Sequence, residues 1–250
     1  MSKPLIIANW KCNPITVKEA EKLFSSVKNG IKNIKNAEVV ICPPFVFLQT
    51  INYKPQTIKL GAQNCFWQDK GAYTGEISPL MLKNLGCDYI IIGHSERRRH
   101  FQETDEMINK KLKTVLLSNL SAIFCIGETQ EEREGDKTEQ ILHQQIVSGL
   151  SGVPLSKISN LIIAYEPVWA IGTGNACDVE EAQKMALVIR RIISKIYNLN
   201  ISKKIRILYG GSANSKNSQI YLNEGGFQGL LVGGASLDPK EFIDLVRKVC

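Results

Sequence analysis

Eight short apolar segments recur along the chain, and their alternation with helix-like stretches limits the fold more than any other feature. They span residues 5–9, 38–41, 58–62, 89–92, 122–126, 161–165, 205–209 and 230–232. Nearly continuous hydrophobicity, without regular apolar and polar alternation, is typical of parallel strands that are covered on both faces. A strand–helix repeat of roughly 30 residues predicts a parallel α/β fold, and eight repeats are the number that closes a (βα)8 barrel.

Helix start signals lie between several of these segments. The two side chains of a capping box satisfy each other's backbone amides, and a side-chain acceptor before a proline suits a first helical turn. The pairs are Thr16 with Glu19, Asp178 with Glu181, Ser78 with Pro79, and Asp238 with Pro239. Since 250 residues suit one α/β barrel, we expect a single domain over residues 1–250. Periodicity alone leaves an open doubly wound sheet as the alternative.

Composition narrows the class of ligand. Lys and Arg outnumber Asp and Glu by 31 to 24, and the resulting net charge of +7 attracts anions. The basic residues are scattered, and the densest run, Arg97 to Arg99, has no interleaved aromatic side chains, so we do not expect a nucleic-acid partner. Neither a glycine-rich dinucleotide motif after the first strand nor a P-loop is present, so we expect no nucleotide cofactor.

Cysteine usage and the N-terminal segment bear on the compartment. The seven cysteines are widely spaced, with no Cys-x-x-Cys pair and no zinc-type alternation with histidine, so we expect reduced thiols and no metal. The first apolar segment is too short for a signal peptide or a membrane span. We therefore expect a cytoplasmic protein without a membrane partner.

The carboxyl ends of the predicted strands define the candidate site, because α/β barrels carry their chemistry there. Alone, a loop lysine, a histidine or a diglycine has an ordinary structural explanation. All the polar and glycine candidates fall at one end of the same predicted barrel, which favours a functional interpretation. They are Asn9, Lys11, His94, Glu96, Glu166, the run Gly210-Gly211-Ser212, and the pair Gly233-Gly234.

These residue types together support one kind of chemistry. Glycines after the last two strands let backbone amides approach an anion closely, so a phosphate group fits there, with Ser212 as an added donor. A carboxylate such as Glu166 can remove a proton from a carbon next to a carbonyl when donors meet the developing oxyanion. Lys11, His94 and Asn9 are the expected donors, and the reaction is an enolisation without a metal.

Seven segments resemble the triosephosphate isomerase family, in order and at strand ends over essentially the full chain. They are Asn9-Trp10-Lys11, Ala62-Gln63-Asn64, Gly93-His94-Ser95-Glu96-Arg97-Arg98, Cys125-Ile126-Gly127-Glu128, the stretch from Tyr165 to Gly174, Tyr209-Gly210-Gly211-Ser212, and Val232-Gly233-Gly234-Ala235. The resemblance implies a TIM barrel and a glycolytic and gluconeogenic isomerase that interconverts dihydroxyacetone phosphate and glyceraldehyde 3-phosphate through an enediol or enediolate, without a cofactor.

The resemblance also implies roles for individual residues. Glu166 carries the proton between C1 and C2, and His94 polarises the carbonyl as the neutral imidazole that is established for this family. Lys11 supplies positive charge, Asn9 is a neutral donor, and Glu96 positions Lys11 or a neighbouring arginine. Backbone amides and a hydroxyl are expected to hold the phosphate, from Gly172, Ser212, Gly233 and Gly234.

Two longer segments are expected to move or to dock. A lid follows the base and excludes water from the reaction; it comprises Pro167, Val168, Trp169, Ala170, Ile171, Gly172, Thr173 and Gly174. By resemblance, residues 63–76 form an arm that docks near Cys12 and Lys11 of a second subunit, so a homodimer is expected. The arm residues that we single out are Gln63, Asn64, Tyr73, Thr74 and Gly75.

Two other functions stay open on the sequence. Another phosphate-binding barrel enzyme, such as an aldolase or a synthase, shares the fold and the diglycines but requires a Schiff-base lysine or a different acid–base set. A barrel with a non-catalytic binding or adhesion role predicts loss of Lys11, His94 or Glu166, and none is lost. A binding role added to catalysis is compatible with the same residues.

Overall fold

Eight parallel strands pair in sequence order and close on themselves, because β8 pairs with β1. The computed structural model describes residues 3–51, 58–173 and 176–250. The strands are β1 (Leu5–Asn9), β2 (Glu38–Cys42), β3 (Ile58–Ala62), β4 (Cys87–Ile92), β5 (Ser121–Ile126), β6 (Leu161–Tyr165), β7 (Arg206–Tyr209) and β8 (Gly229–Val232). All eight predicted segments are confirmed as strands. Closure rules out the open doubly wound sheet.

Helices follow the strands and cover the outside of the barrel. In the described ranges they are α1 (Val17–Ile31), α2 (Phe45–Ile51), α3 (Pro79–Asn84), α4 (Ser95–Phe101), α5 (Asp105–Leu117), α6 (Gln130–Glu134), α7 (Thr138–Leu150), α8 (Val179–Ile196), α9 (Leu199–Lys204), α10 (Ser218–Asn223) and α11 (Pro239–Lys248). The last helix packs against the first, so the outer layer is also continuous across the chain ends. No described helix has the length and apolar character needed to cross a bilayer.

Three of the four predicted helix-start pairs form as expected, and the fourth forms only in part. Thr16 and Glu19 form the full capping box, and both acceptor–proline pairs cap their helices. Asp178 caps α8 through the amides of residues 180 and 181, but the Glu181 carboxylate does not complete a box. It lies 2.5 Å from the Arg133 guanidinium instead. The ion pair to a neighbouring helix replaces the reciprocal cap.

Apolar side chains fill both faces of the strands. One buried cluster draws on seven of the strands, and only the barrel interior lets side chains from so many strands meet. On β1, Leu5 and Ile7 belong to this interior cluster, whereas Ile6 and Ala8 belong to the larger cluster beneath the helices. Burial on both faces explains why the strand segments read as continuous apolar runs.

A charged cluster fills the amino-terminal end of the barrel, opposite the candidate site. Glu38 at the start of β2 accepts hydrogen bonds from Tyr89 at 2.5 Å and Arg206 at 2.8 Å, and Lys59 Nζ lies 2.9 Å away. Burial alone would raise the pKa of Glu38. The three donors outweigh burial and lower the pKa from 4.5 to about 2. The charged Glu38 carboxylate on β2 therefore binds side chains from β3, β4 and β7.

Replacing Glu38 by Gln should make the free energy of unfolding depend less on pH in the acid range. Because folding lowers the Glu38 pKa, its charge stabilises the fold fully above pH 4.5, and the contribution disappears as pH falls towards 2. We expect Glu38→Gln to lower the free energy of unfolding by about 1 to 3 kcal/mol at pH 7 and by much less at pH 2.5. Urea unfolding at both pH values measures this, with the exposed Glu224→Gln as control. An equal loss at both pH values would contradict the assignment.

Candidate active site

A cleft of about 250 Å³ opens at the carboxyl ends of the strands. All eight residues expected to take part in catalysis or phosphate binding line it. They are Asn9, Lys11, His94, Glu166, Gly172, Ser212, Gly233 and Gly234. The structure therefore brings together side chains that are separated by up to 225 residues (234 − 9) along the chain.

Glu166 follows β6 and is buried at the floor of the cleft, with 1% of its surface exposed. Its Oε2 accepts a hydrogen bond from the Ser95 amide at 2.9 Å, and its Oε1 lies 3.1 Å from His94 Nε2. Among the described residues, Oε1 has no hydrogen bond of good geometry. One carboxylate oxygen is therefore anchored, and the other keeps its lone pairs for a proton.

Two glycines make room for this glutamate. A Cβ at Gly127 would lie 1.6 Å from the Glu166 carbonyl oxygen, and a Cβ at Gly210 would lie 2.9 Å from Glu166 Cγ. The Glu166 amide donates to the Ile126 carbonyl at 2.7 Å, which continues the strand pairing to this point. The position of Glu166 is thus fixed by close packing against the segments that follow both neighbouring strands.

His94 forms the N-cap of α4. Its Nδ1 accepts a hydrogen bond from the Glu96 amide at 3.2 Å. A ring nitrogen that accepts carries no proton, so the proton of a neutral imidazole sits on Nε2. Nε2 is the atom that points towards Glu166 Oε1 in the cleft. The site therefore presents an N–H donor beside a carboxylate acceptor.

Lys11 adopts a left-handed backbone with φ of 54°, which is unusual for a residue with a side chain. Three contacts hold it there. Its amide donates to Asn9 Oδ1 at 3.0 Å, its carbonyl accepts from Gln63 Nε2 at 2.8 Å, and its Nζ lies 2.5 Å from Glu96 Oε1. Burial acts to raise the pKa of Glu96, but the Lys11 hydrogen bond and the nearby positive charges together outweigh burial, and the pKa is lowered. Lys11 Nζ therefore lies beside a carboxylate whose pKa is lowered.

The glycine-rich end of the cleft combines the segments after β7 and β8. Gly233 and Gly234 begin a 3₁₀ turn, Gly234–Leu237, in which the buried Ser236 hydroxyl donates to the Gly233 carbonyl at 2.6 Å. A Cβ at Gly233 would lie 3.1 Å from Lys11 Cε, whereas a Cβ at Gly234 would meet no described atom within 4 Å. This end of the cleft is open, lined by backbone, and close to a lysine.

The first half of the lid is attached to the scaffold through Trp169. Its indole Nε1 donates to Glu128 Oε1 at 2.8 Å, and the Arg133 guanidinium lies 4.0 Å from the ring centroid. Burial raises the pKa of Glu128, and hydrogen bonds from Trp169 and Tyr165 offset only part of the rise. Ser212 also reaches the lid, because its hydroxyl donates to the Ala170 carbonyl at 2.6 Å.

The remaining lid residues follow with fewer contacts. Val168–Ala170 form a single 3₁₀ turn, and Gly172 has a φ of 73° and lies exposed at the rim. Gly174 lies outside the described residues. Beyond it, the Cys177 amide donates to the Tyr209 hydroxyl at 3.1 Å, and the Tyr221 hydroxyl donates to the Cys177 carbonyl at 2.6 Å. The lid therefore leaves and rejoins the scaffold at hydrogen-bonded positions.

The predicted dimer arm divides into a buried base and an exposed tip. Gln63 contacts Lys11 of its own chain, and Asn64 Oδ1 accepts from the buried Lys111 Nζ at 2.9 Å. Tyr73, Thr74 and Gly75 are exposed, and the Tyr73 ring packs on Phe66 with a centroid separation of 4.7 Å. The base of the arm thus supports Lys11 within one chain.

Sequence reasoning gave no role to several residues that the structure places around the site. Glu128, Arg133 and Tyr221 hold the two ends of the lid, and Ser95 supplies the amide that anchors the base. Ser95 directly follows His94, so its proximity to the site was available from the sequence. The others pair across different elements at irregular spacings. In the described ranges, no group of three His, Cys, Asp or Glu side chains converges as metal ligands.

Comparison with known proteins identifies the family. The triosephosphate isomerase family model matches residues 4–249. The chain belongs to the triosephosphate isomerase family. Similar proteins named triosephosphate isomerase include those of Dictyoglomus turgidum, at 51% identity, Thermoanaerobacter pseudethanolicus, at 46%, and Alkaliphilus oremlandii, at 45%. Each match covers 99% of this chain and 100% of the relative. The predicted family, the TIM barrel and the class of enzyme, an isomerase, are confirmed.

In a triosephosphate isomerase with this packing, alanine at Gly210 should displace the base. The added Cβ would lie 2.9 Å from Glu166 Cγ and 3.1 Å from the Tyr165 carbonyl oxygen, so the side chain must shift. A misplacement of about 1 Å costs on the order of 10²-fold in rate, and we expect a kcat loss of that size for Gly210→Ala. Steady-state kinetics measure it, with thermal unfolding as a check on folding.

Gly234→Ala is the matched comparison, because its Cβ meets no described atom within 4 Å. We expect this variant to change KM, since it adds a methyl group to the open end of the cleft, and to leave kcat within about threefold. A folded Gly210→Ala protein with the parent kcat would contradict the importance of this packing.

Proposed function

We propose that this chain interconverts dihydroxyacetone phosphate and D-glyceraldehyde 3-phosphate, with Glu166 as the base and His94 as the electrophile. The observation that carries the proposal is the buried Glu166 carboxylate, whose Oε1 lies 3.1 Å from His94 Nε2 where both residues line the cleft. Full-length agreement with proteins named triosephosphate isomerase supports the same reaction.

Each proton and charge in this reaction has a residue to receive it. Glu166 Oε1 takes a proton from one substrate carbon and returns it to the next. His94 Nε2 gives its proton to the former carbonyl oxygen and regains one from the neighbouring hydroxyl, which completes the interconversion of aldose and ketose. The carbonyl oxygen becomes an enediolate oxygen, and His94 Nε2–H, the Lys11 ammonium and Asn9 are its donors. Burial of the Glu166 carboxylate keeps water away from the oxygen that takes the proton.

The phosphate group occupies the opposite end of the cleft in this proposal. Gly233 and Gly234 offer backbone amides, Ser212 offers a hydroxyl, and the exposed Gly172 approaches when the lid closes. The open space at Gly234 and the proximity of Lys11 Cε to Gly233 support an anion at this end. Closure of the lid then protects the enediolate from water.

The contacts of Lys11 argue against an aldolase-type mechanism. A Schiff-base lysine must lose its proton and reach the substrate carbonyl as an amine. Lys11 Nζ instead lies 2.5 Å from Glu96 Oε1, so a carboxylate engages the nitrogen that would have to attack the carbonyl. A fixed positive charge suits an oxyanion or a phosphate, which is the isomerase requirement.

Glu166→Gln tests the reaction directly. The amide keeps the size of the side chain but cannot accept the substrate proton, so kcat should fall by about 10²- to 10⁴-fold. A coupled assay of triose phosphate interconversion, with wild type and variant at equal concentration, measures the loss. Folded wild type without turnover would end the proposal, and a variant with near-normal kcat would place the base elsewhere.

We also propose that two copies of the chain form a homodimer. Exposed apolar side chains follow four consecutive strands, β1 to β4, and therefore lie in one sector at the carboxyl end of the barrel. They are Ile15, Val46, Tyr73 and Phe101. Exposed apolar groups gathered in one sector are typical of an interface. A second copy would cover them and the exposed tip of the arm.

Tyr73→Asp should weaken this association, because it places a charge in the proposed apolar contact. Sedimentation should give twice 27.9 kDa for the wild type and about 28 kDa for the variant at micromolar concentration. Leu187→Asp, which charges an exposed position on α8, is the control and should stay dimeric. A wild type that sediments as a monomer would contradict the proposal.

We also propose that the protein is cytoplasmic and that residues 1–250 form one domain. All seven cysteines are free thiols, which suits a reducing compartment. Cell fractionation tests the location, and a single cooperative unfolding transition tests the domain assignment. Recovery in an oxidising compartment, or two separate transitions, would contradict them.

A further inference from the structure

The segment after β7 lines the phosphate end of the cleft and is held from behind by a carboxylate. Ser215 lies three residues beyond Ser212. Its amide donates to Glu241 Oε1 at 2.6 Å, and its hydroxyl lies 3.2 Å from Glu241 Oε2. Both oxygens of one carboxylate are therefore engaged by a single residue of this segment. Charge-assisted hydrogen bonds of this length are among the stronger ones in proteins.

Glu241 itself belongs to the other half of the phosphate end. It lies in the first turn of α11, which Asp238 caps directly after the 3₁₀ turn Gly234–Leu237. That turn contains Gly234 and continues the segment after β8. Glu241 thus fastens the segment after β7 to the helix that follows the segment after β8. The two backbone segments proposed to hold the phosphate are joined at this residue.

Hydrogen bonds within the segment connect the residues on either side of Ser215 with Ser212. Asn217 Oδ1 accepts from the Asn214 amide at 2.8 Å, and Asn214 Oδ1 accepts from the Asn217 amide at 3.3 Å. Asn217 Nδ2 donates to the Ser212 carbonyl at 3.1 Å. Asn214 also lines the cleft. A shift of Ser215 therefore moves the backbone that presents Ser212.

We propose that Glu241 is a positioning residue for phosphate binding. It fixes the distance between Ser212 and the Gly233-Gly234 pair. The inference rests on the proposed function, because it names the support of that same site. Glu241 does not line the cleft, and both its oxygens face Ser215, so its charge is not offered to the substrate. Its effect reaches the phosphate only through the two backbone segments.

The main test compares Glu241→Ala with wild type on two substrates. With glyceraldehyde 3-phosphate, we expect KM to rise about tenfold, because the donors from Ser212 and from the Gly233-Gly234 pair no longer fit the phosphate together, while kcat changes less than threefold. The inhibition constant of inorganic phosphate should rise in parallel. With glyceraldehyde, which has no phosphate, kcat/KM should stay unchanged.

Two further variants separate positioning from general stability. Glu241→Gln keeps an acceptor for the Ser215 amide, so it should restore part of the lost phosphate affinity. Asp244→Ala, also on α11, removes an exposed carboxylate that lies 3.5 Å from Arg247, and it should leave KM and phosphate inhibition unchanged. A purely structural role predicts lower thermal stability of Glu241→Ala with unchanged phosphate affinity.

The outcomes distinguish this inference from the proposed function. If wild type turns over triose phosphate and Glu241→Ala binds phosphate as wild type does, the positioning role is wrong and the isomerase remains. Equal losses with and without the phosphate group would also overturn it, because the defect would then lie at the reacting carbons. If wild type has no activity, the proposed function fails before this comparison is made.

Discussion

Pairing of β8 with β1 is the constraint on which the rest of the structure depends. Each strand is only four to six residues long, and it becomes stable only when both edges are paired and both faces are covered. Closure meets the first requirement, and the helices together with the interior side chains meet the second. The same closure brings eight carboxyl ends to one face, so residues as distant in sequence as Asn9 and Gly233 line one cleft.

Hydrogen bonds hold the acidic side chains in and around the cleft in place. Glu166 is anchored by the Ser95 amide, Glu96 is kept charged by Lys11, and Glu128 is bonded to Trp169 beneath the lid. Burial also raises the pKa of the Cys125 thiol well above its usual range, and the neighbouring Glu166 carboxylate raises it further. Cys125 thus stays neutral beside the base. Preorganised charges of this kind need no rearrangement during the reaction.

The fold and the residues that line the cleft were predictable because both follow from local patterns. Strands buried on both faces read as apolar runs, and barrel chemistry lies directly after such runs. Supporting contacts were not predictable, since they join elements with no fixed spacing. Glu181 had the spacing of a capping box, yet its carboxylate pairs with Arg133 from another helix. Glu241 appeared as one more acid in a first helical turn until the fold placed it at Ser215.

The lid and the proposed phosphate site share a donor, which couples them. A serine hydroxyl has one proton to donate, and the Ser212 proton is directed at the Ala170 carbonyl of the lid at 2.6 Å. If Ser212 donates to the substrate phosphate, as proposed, the bond to Ala170 must be exchanged at that moment. Arrival of the phosphate then releases one attachment of the lid, while Trp169 keeps its own attachment to Glu128 until the lid moves. In this proposal, exchange of the Ser212 hydrogen bond links substrate binding to lid movement before Gly172 approaches the phosphate.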